Sequence, residues 1–223
     1  MEDIKTNLND ILNKIPQGTR LVAVSKFHPA DAIMLAYETG HRIFGESRVQ
    51  ELNEKYEKLP KDIEWHFIGH LQTNKVKYIV PYISMIHAVD SFKLLEEINR
   101  QASKADRVIP CLLEVHIAKE ESKYGFSFDE CRKMLNEASW KDLKNVSING
   151  IMGMATFTDN QEEIKQEFHR LHSFFDEMKK KHFEENDEFR ELSMGMSEDY
   201  TIAIEEGSTL IRVGSKIFGN RSY

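Results

Sequence analysis

Leu21-Val22-Ala23-Val24-Ser25-Lys26 is the stretch on which the fold turns. Four apolar residues run without a polar break, as in a strand buried on both faces of a parallel sheet. After Phe27, His28 and Pro29 the pattern becomes helical, so Lys26 is expected where a buried strand opens into a strand-to-helix loop. Walled by apolar strands, a primary amine there is partly desolvated. Desolvation disfavours the ammonium and lowers the pKa, and such an amine can attack a carbonyl and hold it as an imine. The competing reading is a lysine that snorkels into solvent from a strand end.

The rest of the chain repeats the strand-then-helix pattern. An amphipathic helix carrying Ile4, Leu8, Ile11 and Leu12 comes first and ends at Pro16 and Gly18. Strands are expected at 21–26, 42–45, 64–69, 85–89, 109–115, 148–154, 191–196 and 209–213. Helices are expected at about 30–40, 48–58, 73–80, 92–104, 128–138, 160–182 and 198–206, with Ser91 as an N-cap. No linker, low-complexity block or repeat interrupts them. Alternating units imply parallel strands with right-handed crossovers. Eight of them in 223 residues favour one α/β domain over 1–223, a closed (β/α)8 TIM barrel with residues 1–15 packed on it as a helix. An open doubly wound sheet is the alternative.

Composition narrows the function. Hydrophobic residues make up 40% and charged residues 30%, enough for a real core, and the net charge of −7 argues against a broad nucleic-acid or anionic-membrane footprint. Cys111 and Cys131 fit neither a disulfide framework nor a zinc spacing. His169 and His172 lie one helical turn apart without a third ligand, and the run Lys179–Lys181 reads as a solvated helix end, so no metal is expected. The N-terminus lacks the n- and h-regions of a secretory signal, and no stretch is apolar enough to span a bilayer, which makes the cytoplasm the expected compartment.

A barrel gathers its ligand groups at the C-terminal ends of its strands, and the loops after strands 7 and 8 often hold a phosphate. Those ends carry Lys26, Glu46, Ser47, His66, His70, Ser193 to Asp199, and Arg212 to Gly219. Ser197 can cap the following helix, Gly214 allows close backbone approach, and Ser215 adds a hydroxyl and an amide. Such a site binds phosphate through amides rather than a cluster of cations, so an acidic protein can own one. Arg212 stands in an apolar strand, where a charge must be paired or used. It faces either a ring nitrogen or anion, or a neighbouring carboxylate.

The motifs together resemble one family. Ala23-Val24-Ser25-Lys26, Phe44-Gly45-Glu46-Ser47, Trp65-His66-Phe67-Ile68-Gly69 with Leu71-Gln72-Thr73-Asn74-Lys75, Ser193-Met194-Gly195-Met196-Ser197 and Arg212-Val213-Gly214-Ser215-Lys216-Ile217-Phe218-Gly219 are similar to those of the pyridoxal phosphate homeostasis proteins, the YggS/PROSC family. The resemblance covers essentially the full length and implies a fold similar to the N-terminal barrel of alanine racemase, fold-type III. It implies that Lys26 forms an internal aldimine with pyridoxal 5′-phosphate and that Ser197, Gly214 and Ser215 hold its phosphate. Arg212 would face the pyridine nitrogen, with Ser47, His66 and Met196 completing the cofactor set. Ser47, His70 and Ser215 stand where the family commonly has asparagine, proline and threonine.

An arginine at the pyridine nitrogen disfavours a second positive charge there and makes the ring a poorer electron sink. Racemisation also needs a second base, which related enzymes take from another subunit's additional domain. The chain stops soon after strand 8, so no such domain is expected, and sequence places none of Tyr37, Tyr124 or Tyr200 as a base. The expectation is a monomeric cofactor-binding protein that limits free aldehyde and hands the cofactor to apo-enzymes, with no catalytic residue assigned. A weak amino-acid racemase is the alternative, and a Schiff-base aldolase for a phosphorylated sugar is a third reading.

Overall fold

The structure is a computed structural model that describes residues 2–120, 124–137 and 139–219. Eight parallel strands close in sequence order into a barrel. They are β1 (Arg20–Val24), β2 (Ile43–Glu46), β3 (Glu64–Phe67), β4 (Met85–Val89), β5 (Ile109–Glu114), β6 (Val146–Met152), β7 (Glu191–Ser193) and β8 (Leu210–Val213). Closure comes from β1 pairing with β8, with Val22 opposite Arg212 and Ala23 opposite Val213. The open-sheet alternative is therefore excluded.

Helices α1 (Glu2–Leu12), α2 (Ala30–Tyr37), α3 (Val49–Lys58), α4 (Val76–Ile79), α5 (Phe92–Lys104), α6 (Phe128–Glu137), α7 (Gln161–His182), α8 (Tyr200–Glu205) and α9 (Ser215–Phe218) surround it. Ser91 caps α5, its Oγ accepting from Leu94 N–H at 3.3 Å. Asn160 caps α7 by accepting from Glu163 N–H. α1 packs against α2 and α9. Two pieces lack a periodic signal: α9, a single turn directly after β8, and a 3₁₀ turn over Ser139–Asp142. The helix expected at 73–80 opens as a 3₁₀ turn over Thr73–Lys75 before α4.

Alternation along the strands makes two apolar compartments. Val22, Met85, Leu112, Met152 and Leu210 meet inside the barrel, while Phe44, Trp65, Phe67, Phe168 and Phe189 belong to the larger core shared with the helices. His66, between Trp65 and Phe67, accordingly faces inward. Arg212, two residues beyond Leu210, lies on the inner face of β8.

Candidate functional site

β1 stops at Val24, two residues before the lysine, because the chain turns sharply there. Phe27 takes φ 68°, a left-handed conformation that L-residues adopt only when their surroundings impose it. The surroundings are visible. Glu51 on α3 accepts the Phe27 N–H at 2.6 Å, and Arg48 lies over the Phe27 ring. Lys55, one turn along α3, donates to Glu51 at 2.7 Å, to Glu46 at 2.6 Å and to the Ser25 carbonyl at 2.8 Å. Ser25 Oγ donates to Glu46 at 2.7 Å. Lys55 and Glu46 are buried, and these bonds satisfy the ammonium, while of the carboxylate only Oε1 is engaged and Oε2 is buried without a hydrogen-bond partner among the described residues. Burial pushes the Glu46 carboxyl up to about 7, while Lys55 pulls it down. This network grips both residues that flank Lys26.

At the other closing edge, β7 also ends before its expected limit. Gly195 has φ 94°, and a Cβ there would stand 2.5 Å from Ala203 Cβ, so the turn out of β7 requires glycine. The turn is tied down by the Met196 N–H donating to the Asp199 carboxylate and the Arg212 N–H donating to the Gly195 carbonyl at 3.0 Å. Gly214 N–H donates to Ser197 Oγ at 3.2 Å, which joins the two loops. A Cβ on Gly214 would meet the Val24 carbonyl at 3.0 Å, so the bare backbone of this loop lies against the end of β1.

Arg212 is buried inside the barrel. Among the described residues its guanidinium donates to two neutral oxygens, Ser193 Oγ and the Gly153 carbonyl, rather than to a carboxylate. Desolvation lowers its pKa to about 10, with Asp199 and Glu114 acting the other way at longer range, so it stays charged at neutral pH. Glu114 on β5 is raised to about 7 by burial and by Asp90, against the pull of Arg212.

A cavity of about 600 Å³ opens at this end of the barrel, within the range of small-molecule and cofactor sites. The structure brings Lys26, Met196, Ser197, Arg212, Gly214 and Ser215 together on its wall. Two residues expected at the cofactor do not line it. Ser47 lines a separate groove with Arg48, His70 and Lys75. Gly69 packs directly on its backbone, and Ile68 forms the cavity wall instead. His66 is buried deeper in the barrel, its Nδ1 2.9 Å from His87 Nε2. The sequence reading also missed Val24, His28, Met154 and Thr156, which line the cavity. Val24 could have been found from alternation with Val22. The others lie in loops, where no period marks them.

The Lys26 amine, the Ser197 and Ser215 hydroxyls, the backbone amides around Gly214 and the charged Arg212 guanidinium, all on the cavity wall, suit a ligand with an electrophilic carbonyl, a phosphate and an aromatic nitrogen. Comparison with known proteins agrees. The family described as "Alanine racemase, N-terminal domain" matches residues 1–222. A pyridoxal phosphate homeostasis protein from Aquifex aeolicus is 38% identical over 205 residues, covering 92% of this chain and 88% of that one. The structure of PipY from Synechococcus elongatus PCC7942 with PLP bound superposes with a TM-score of 0.88 at 37% identity, covering 97% of this chain and all of that one. Alanine racemase from Clostridium difficile 630 shares the fold at a TM-score of 0.78 and 13% identity, this chain covering 57% of it. A family match over nearly the whole chain and relatives aligned almost end to end place it among the pyridoxal phosphate homeostasis proteins of the alanine racemase N-terminal domain family.

Proposed function

We propose that this chain holds pyridoxal 5′-phosphate in the cavity above Arg212, with Lys26 as its covalent anchor, and serves in cofactor homeostasis rather than in turnover. The observation that carries this reading is that an amine, a hydroxyl-and-amide cradle and a buried guanidinium share one cavity. The relative solved with PLP bound supports it. When bound, the group supplies an electrophilic aldehyde on a ring able to take up negative charge.

The residues divide the work by chemistry. Ser197 Oγ and the Gly214 amide, which now bond to each other, are the groups that a phosphate would separate and take as donors, with Ser215 beside them. The three need no cation, which agrees with the acidic net charge. Arg212 presents a fixed positive donor at the floor. With the cofactor bound, this charge would disfavour protonation of a ring nitrogen, which would weaken the ring as an electron sink and make loss of a substrate proton harder. None of the three tyrosines weighed as a second base lines the cavity. Tyr37 bonds Asp62, Tyr124 stacks on His70, and Tyr200 lies beside Lys216.

The same reading makes the protein a monomer that releases its cofactor to apo-enzymes, since an imine link is reversible. It also places the protein in the cytoplasm, where Cys111 and Cys131, both buried and free, suit a reducing compartment. Among the described residues no helix is long and apolar enough to cross a membrane. One observation favours weak turnover instead: His28 lines the cavity near Lys26 as an ionisable ring. Exchange of an amino acid's α-proton into deuterated solvent decides between the two, and no exchange is expected. The test of the proposal itself is the absorption spectrum of purified protein given pyridoxal phosphate. Borohydride should fix the chromophore on the peptide containing Lys26, and fixation elsewhere would overturn the assignment.

A further inference from the structure

Below the cavity floor lies a polar chain that cofactor anchoring does not itself require. Arg212 Nη1 donates to Ser193 Oγ. Ser193 Oγ stands 3.1 Å from His87 Nδ1, and His87 Nε2 stands 2.9 Å from His66 Nδ1. The four residues come from β8, β7, β4 and β3 and are all buried. Four polar residues on four strands, meeting inside a compartment whose apolar cluster is Val22, Met85, Ala88, Leu112, Met152 and Leu210, are a costly arrangement unless they are used.

Proton counting gives the chain a direction. Arginine only donates, so Ser193 Oγ must accept from it. Among the described residues the other partner of Ser193 Oγ is His87, and a buried hydroxyl proton needs an acceptor. The hydroxyl therefore donates to His87 Nδ1. That leaves the His87 proton on Nε2, from which it is donated to His66 Nδ1, and puts the His66 proton on its own Nε2. Every bond runs the same way, from the arginine to β3. A protonated His87 would turn an N–H toward the serine hydroxyl and break the sequence. Burial holds both rings neutral: His66 is lowered to about 3 and His87 lies well below its ordinary value. Arg20 opposes a proton on either ring, and Arg212 and the other imidazole add to this at His87.

We propose that Ser193 and His87 are positioning residues for Arg212, and that this one-way chain fixes the plane of its guanidinium at the cavity floor. The Gly153 carbonyl holds the opposite edge of the group at 3.0 Å. Because both partners are neutral, the arginine is oriented without being neutralised, and its charge remains directed toward the cavity. The recognised ligand class is an aromatic heterocycle with an unprotonated ring nitrogen, which rests on the reading of the cavity given above.

Two measurements test this. In cofactor-free wild-type protein, long-range ¹H–¹⁵N correlation spectra should show both His66 and His87 as the Nε2–H tautomer, unchanged between about pH 5.5 and 8. An Nδ1–H tautomer or a charged ring at either position overturns the chain, whatever the cavity binds. With pyridoxal phosphate added, Ser193→Ala should shift the absorption maximum and weaken retention roughly tenfold. Ser193→Thr, which keeps the hydroxyl, should restore the wild-type spectrum. A Ser193→Ala spectrum and affinity equal to wild type would overturn the positioning role. Wild-type protein that takes up no pyridoxal phosphate would instead overturn the reading of the cavity, and the tautomers would still decide the chain.

Discussion

Lys26 and Arg212 are two basic residues at one cavity, and the structure treats them differently. Lys26 stands half-buried on the wall, two residues past the end of its strand. Arg212 is embedded, bonded to a hydroxyl and a carbonyl. Lys26→Ala should therefore abolish borohydride-fixable cofactor while changing stability by less than about 1 kcal/mol, as for other partly exposed sites. An unfolded variant by circular dichroism would show that the lysine holds the barrel together. Arg212→Ala removes the floor charge, and the bound chromophore should change its absorption maximum. An unchanged spectrum would make the arginine structural. Sequence made both residues legible, because each is a charge set in an apolar strand run. Ser47 and His66, expected at the cofactor, do not line the cavity, since adjacency to a strand end does not say which groove a side chain enters or how deep in the barrel it sits.

At the scale of elements, α3 acts as a clamp on the turn after β1. Glu51 takes both the Phe27 amide and the Lys55 ammonium, and Lys55 reaches across to Glu46 and Ser25. The Phe27 amide and the Lys55 ammonium already share Glu51 Oε1, so Glu51→Gln keeps an acceptor for both but removes a charge beside a buried lysine. It should cost about 1–3 kcal/mol in urea unfolding and slow covalent capture of pyridoxal phosphate, because a strained φ at Phe27 loses its restraint. Wild-type stability and capture rate together would show that the clamp is idle. Gly195→Ala tests the opposite edge, and the expected loss is about 1–3 kcal/mol from the positive φ and the clash with Ala203. Periodicity gave the positions of the long helices α5 and α7 closely. It overran β1 and β7 at their C-terminal ends, where the expected strands continue into turns set by Phe27 and Gly195. It passed over α9, since a single turn is too short to show a period.

Two buried carboxyls and two buried imidazoles of the barrel, Glu46, Glu114, His66 and His87, have their charges suppressed in opposite directions, and their balance shapes its response to pH. Glu46 and Glu114, raised from 4.5 to about 7, bind protons in the folded state before the unfolded chain does. Their contribution to stability is complete below about pH 4.5 and is lost as pH rises through 7. His66, lowered from 6.5 to about 3, and His87, lowered further, act in reverse. Their contribution is complete above 6.5 and is lost as pH falls. Between about 4.5 and 6.5 the slopes oppose each other, two sites against two, and stability should be nearly flat. Below about 4.5 the histidine loss continues unopposed, joined by that of Glu177, whose carboxyl the Arg132 hydrogen bond holds at about 2, and urea midpoints should fall. A steady decline from pH 6.5 downward would contradict this balance. The fold class itself was readable from eight alternations, but barrel closure was an inference from their number until the β1–β8 register showed it.

That register has a consequence for synthesis. The proposed anchor, Lys26, follows the first strand to leave the ribosome, and the proposed phosphate cradle comes with the last two. Through most of translation a nascent chain thus carries the amine without the groups that would hold an aldehyde beside it. On the proposed reading, cofactor capture waits until β8 has docked against β1, so products that terminate before β8 should take none of the vitamin out of circulation.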